Sequence, residues 1–100
     1  MFTHVVLFWN KPDAPAHAQQ QIIDDARRLL GAIPNVVTLR AGPTAGTPRD
    51  VVDNSYSVGL LVVLTDSAAH DVYQTHPLHL EFIARNKPFW ARVQVYDFVG

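Results

Sequence analysis

The sequence predicts an α+β domain in which one four-stranded antiparallel sheet carries its helices on a single face. Three observations predict it. Residues 3–9 (THVVLFW) and 56–65 (YSVGLLVVLT) are β-branched, aromatic-rich runs that are apolar on both alternating faces. Between and after them apolar residues recur at helical spacing, so the order reads strand, helix, strand, strand, helix pair, strand. The chain has 100 residues, 48% of them hydrophobic, which is enough for one core and one domain spanning 1–100.

The first strand puts Phe2, His4, Val6 and Phe8 on one face and Thr3, Val5, Leu7 and Trp9 on the other. His4 is alone on an apolar face. Residues 10–15 form a turn with prolines at 12 and 15, and Asp13 is the expected N-cap of the helix that follows. In that helix Ile22, Ile23, Ala26, Leu29, Leu30 and Ile33 make the apolar stripe, with Gln20, Gln21, Asp24, Asp25, Arg27 and Arg28 pointing elsewhere. Gly31 and Pro34 close it. Residues 36–41 are the second strand. Residues 42–54 (GPTAGTPRDVVDN) predict a long loop or a ragged extension of an edge strand. In the third strand Gly59 marks a bulge or a close approach. Thr65 or Asp66 caps a helix running to about Thr75; a second opens at Pro77 and runs to about Asn86, where Lys87-Pro88 stops it. Residues 92–99 are the last strand.

This order is that of a ferredoxin-like domain. Helices cover one face of such a sheet, and the doubly apolar strands leave the other face needing a cover. A homodimer through the sheet face supplies it.

Composition excludes several classes of function. The formal net charge is −1, eight Lys plus Arg against nine Asp plus Glu with no run of either sign, so neither a nucleic-acid nor a membrane partner is expected. There is no cysteine, hence no disulfide or thiolate chemistry. No apolar run approaches a membrane span, and residues 1–9 lack the basic region and cleavage site of a signal peptide, so a cytoplasmic location is expected.

Residues 70–82 (HDVYQTHPLHLEF) bring three of the five histidines and a tyrosine to an X-Pro break between two helices. With Leu78, Phe82 and Ile83 facing the core, His79 falls at the edge of the apolar face, half buried. An imidazole there is a candidate general base, and the Tyr73 hydroxyl a candidate partner that orients it or steadies an enolate. Their separation of six across a proline does not by itself bring them together. His76, before the proline, reads as a joint-capping side chain, and His17 as solvated surface. A metal set of His70, His76 and His79 has spacings that straddle the break, unlike the i, i+4 pair of a zinc helix, so no metal and no cofactor are expected. Among the aromatics, Phe82 and Trp90 are candidate walls of an apolar pocket.

With these residues in place, the chain resembles the stress-responsive dimeric α/β-barrel (Dabb) family. The resemblance runs nearly end to end, through THVVLFW, YSVGLLVVLT, YQTHPLH and FWARVQVYDF. Its most specific element is HPxH, His76-Pro77-Leu78-His79, with Phe89-Trp90 ten residues on. The resemblance implies a dimeric α/β barrel with a pocket between sheet and helices in each subunit. In the family's plant polyketide cyclase, which closes a linear poly-β-ketone by aldol condensation without metal or organic cofactor, the proposed base stands at the position of His79. A tyrosine at the position of Tyr73 assists it, and a histidine at the position of His4 lines the pocket. Val58 replaces a further pocket histidine of that enzyme. The resemblance therefore implies catalytic roles for His79, Tyr73 and His4, with Val58, His76, Phe82 and Trp90 around a small hydrophobic carbonyl or phenolic ligand. The rival reading is a non-enzymatic stress-responsive oligomer; cofactor-free oxygenation is a third, by analogy of fold alone.

Overall fold

The computed structural model describes residues 1–100. Its strands are β1 (Phe2–Asn10), β2 (Val36–Gly42), β3 (Val58–Leu64) and β4 (Trp90–Val99), and its helices α1 (Ala18–Leu29), α2 (Ser67–Thr75) and α3 (Pro77–Asn86). Short 3-10 turns at Leu30–Ala32 and Lys87–Phe89 finish α1 and α3. The sheet runs β2-β3-β1-β4, antiparallel throughout, as expected. Because β1 is central, His4 has Val62 on one side and Asp97 on the other. That register builds the site.

Val6, Phe8, Val58, Leu60, Val62 and Leu64 turn inward and pack against Ile22, Ile23, Ala26, Leu29 and Leu30 of α1 and its extension, with Tyr73 and Phe82 from the helix pair. Each buried Val, Leu, Ile or Phe among them contributes about 1.5–3 kcal/mol by leaving water. The stripe expected of α1 is the stripe observed, with one correction: Asp25, expected to point away, is buried. Its carboxylate accepts from Arg85 Nε (2.7 Å), Asn86 Nδ2 (3.1 Å) and Arg28 Nη2 (3.2 Å), tying α1 to α3. A buried charge needs such partners.

A second correction concerns the start of α1. Asp13 does not cap it; the helix begins at Ala18 after His17, with no side-chain cap, and Ala18 N–H donates to the Pro15 carbonyl. Pro15 disfavours helical geometry in the residue before it, which opposes a helix starting directly after Asp13. At the other helices the caps are as expected. Asp66 Oδ1 accepts from Ala69 N–H (2.8 Å), and His76 Nδ1 accepts from Leu78 N–H (3.1 Å). His76 ends α2 and caps α3 in an extended conformation, with Pro77 in the first turn.

The segment between β2 and β3 is a loop rather than a strand extension. Asn54 holds it, accepting from Thr44 Oγ1 (2.7 Å) and donating to the Thr47 carbonyl (2.9 Å), while Ser55 accepts from Trp9 Nε1 (2.9 Å). It thus lies against Trp9 on the outer side of the sheet. No bulge occurs at Gly59; the Tyr56 ring rests on it, and a Cβ there would meet the ring edge at 3.4 Å. The outer face also carries Val5, Leu7, Leu61 and Val63, with Tyr96 and Phe98 each 58% exposed. An open groove of about 530 Å³ runs across it beside Leu39, Arg40 and Tyr56.

Candidate active site

On the opposite, helix-covered face a smaller cavity of about 220 Å³ lies between the β1–β4 half of the sheet and the joint of α2 with α3. His4, Asp97, Tyr73, Gln74, His79 and Trp90 supply its polar atoms, and Val6, Phe8, Phe82, Ile83, Val93 and Val95 much of its apolar wall. We place the candidate site here and not in the wider outer groove, because this cavity brings two histidines, a tyrosine and a carboxylate together at an apolar surface.

The α2–α3 joint positions two of these groups. His76 stops α2 just after Tyr73, and Pro77 restarts the chain so that His79 falls on the first turn of α3. The break folds back the separation of six: the Tyr73 and His79 rings stand 4.7 Å apart. Tyr73 is fully buried, and burial pushes its phenol well up, so it stays a hydrogen-bond donor at any physiological pH. Burial also lowers the pKa of His79; the nearby Gln74 backbone opposes this, and the imidazoles of His4 and His70 reinforce it. His79 is therefore neutral at pH 7. Its Nδ1 is buried without a hydrogen-bond partner, and so is Trp90 Nε1. A buried polar atom left unpaired costs about 1–3 kcal/mol.

The sheet contributes the opposite wall. His4 Nδ1 lies 2.6 Å from Asp97 Oδ1. A carboxylate only accepts, so His4 donates through Nδ1, and in the neutral ring Nε2 keeps its lone pair. Burial lowers the pKa of His4, Asp97 opposes the shift, and His70 adds to it. The His4 ring also stands edge-on to Tyr73 at 5.7 Å. His70 comes in beside His4 at 5.2 Å between ring centres, stacked on Phe2 at 4.2 Å and bonded to Gln74 at 2.9 Å.

Of the residues expected at the site, His4, Tyr73, His79, Phe82 and Trp90 converge on the cavity. Two do not. Val58 is sealed in the core between sheet and helices, and His76 spends its ring nitrogen on the α3 cap. Sequence reasoning missed Asp97, Gln74 and His70's approach to His4. Asp97 carried a signal: it is the lone acid alternating with Val93 and Val95 along the last strand, on the face that period two turns inward.

The fold and cavity define a small ferredoxin-like α+β domain with a histidine- and tyrosine-lined pocket opening beside an edge strand. The model of the stress responsive A/B barrel domain, Dabb, matches residues 2–100, and the chain belongs to that family. No curated protein matches it in sequence. Among solved structures it is similar to a dimeric ferredoxin-like protein of unknown function from Thermobifida fusca (TM-score 0.84, 22% identity, 99% of this chain and 90% of that one). It is also similar to a Dabb family protein with a ferredoxin-like fold from Mesorhizobium loti (0.78, 25%, 99% and 95%). A third is the hydroxynitrile lyase of Passiflora edulis (0.83, 18%, 99% and 92%).

Proposed function

We propose that the chain forms a homodimer through the outer face of its sheet and that each pocket binds a small hydrophobic carbonyl or phenolic compound, on which it acts by acid–base chemistry. The observation that carries the reading is the unpaired, buried Nδ1 of His79 beside the Tyr73 ring in a mostly apolar cavity. In this reading neutral His79 takes an acidic α-proton and the Tyr73 hydroxyl donates to the oxygen on which the enolate forms. His4, donating to Asp97, offers an Nε2 acceptor to a phenolic or enolic hydroxyl of the ligand. The cavity is smaller than the roughly 300–1,000 Å³ of drug-sized sites, which favours a compact ligand. A lyase on the same fold supports the class of chemistry.

A thermal-shift screen against aryl ketones, β-dicarbonyls and phenols tests the pocket. A rise in Tm is expected with at least one class, and it should vanish in Val95→Trp, which fills the cavity from β4. A stable protein that responds to none of them favours the rival, a non-enzymatic oligomer. Sedimentation tests the dimer: a dimer is expected at micromolar concentration and dissociation in Phe98→Asp, whose side chain lies on the exposed outer face. A wild-type monomer would refute the proposed interface.

A further inference from the structure

We propose that His4, His70 and Asp97 together bind one divalent transition-metal ion of the zinc type. This goes beyond the acid–base reading and does not rest on it. A ligating atom from each residue lies within 4.8 Å of the others, and the three come from different elements: His4 from β1, Asp97 from β4 and His70 from α2. Two imidazoles that share a tetrahedral ion at 2.0–2.1 Å stand with ring centres roughly 5 Å apart. The His4 and His70 rings are 5.2 Å apart and tilted by 52°.

The proton between His4 Nδ1 and Asp97 Oδ1, held at 2.6 Å, occupies the place of an ion whose nitrogen and oxygen ligands would move apart to about 3.3 Å. Binding exchanges that proton for the metal. The surroundings suit the exchange. The Asp97 side chain is 37% exposed, so the site is open to an entering ion. Two nitrogens and a carboxylate oxygen suit zinc with a fourth position left open. The His70, His76 and His79 set considered from sequence cannot form, because His76 caps α3.

Zinc titrated into the full chain against a chromophoric chelator, with cobalt absorption as a second readout, tests the site. The expected result is one ion per chain and the intense visible bands of tetrahedral cobalt. His70→Ala and Asp97→Asn should each weaken zinc at least ten-fold, while His17→Ala, on the surface, should not. Circular dichroism in chelator confirms that each variant is folded, and His70→Gln replaces His70→Ala if the latter is not. No stoichiometric zinc in the wild type, or unchanged affinity in either ligand variant, would overturn the three-ligand site.

Discussion

Replacing His79 with alanine is expected to bring proton exchange at the methyl group of an aryl methyl ketone, followed by NMR in deuterium oxide, down to the buffer background. A positioned general base contributes on the order of 10²–10⁴-fold, so the loss should be at least about 100-fold. The fold should survive, because His79 is only half buried and its Nδ1 makes no hydrogen bond. Tyr73→Phe should lose less and keep the dimer, since the ring that fills the core remains. The pH profile provides an independent check. A base works as neutral imidazole, and burial holds the His79 pKa below the ordinary value of about 6.5. Exchange should therefore be on its plateau at pH 7 and fall only as pH drops through that lowered pKa. A limb centred above 6.5, or full exchange in His79→Ala, would remove His79 from the chemistry.

The elements were legible in the sequence because they rest on periodicity and punctuation. The stripe from Ile22 to Ile33 appears where the pattern puts it, whereas the third strand, apolar on both faces, does not by itself say that Val58, Leu60, Val62 and Leu64 turn inward. The joint was legible too: His76 before Pro77 could hardly do other than end one helix and start the next. The pairings across the sheet were not. Asp97 meets His4 through the β1–β4 register, and no feature of either segment alone encodes which residue of one lies opposite which of the other. Asp25 was misread for a related reason. It borders the apolar stripe, and only the approach of Arg85 and Asn86, sixty residues away, turns a surface carboxylate into a buried one. Val58 shows the limit of resemblance: the position corresponds, but the side chain points into the core beside Phe8.

Asp25 carries the largest stability effect expected of a polar group in this fold. Asp25→Ala should cost about 2–3 kcal/mol, because hydrogen bonds to an ionised group contribute about 1.5–3 kcal/mol and one amide hydrogen of the fully buried Asn86 would lose its acceptor. Arg85 and Arg28 reach solvent and rehydrate, which keeps the cost below that of breaking a fully buried ion pair. In a domain of this size the loss lowers Tm by roughly 10–20 °C. Urea melts at one fixed protein concentration are the measurement, since dimerisation would make stability depend on concentration. The acid dependence follows from the same contacts. Burial alone would raise the Asp25 pKa, but the donors Arg85, Asn86 and Arg28 outweigh it and hold the carboxyl below its usual value. The stabilisation is then complete above the unfolded pKa of about 3.9 and lost as pH falls through the lower folded value. The gap between wild type and Asp25→Asn should be full at pH 7 and close only at the acid end, below about pH 4. A gap that stays constant into strong acid would mean that the carboxylate charge does not hold α1 to α3, and that shape alone does.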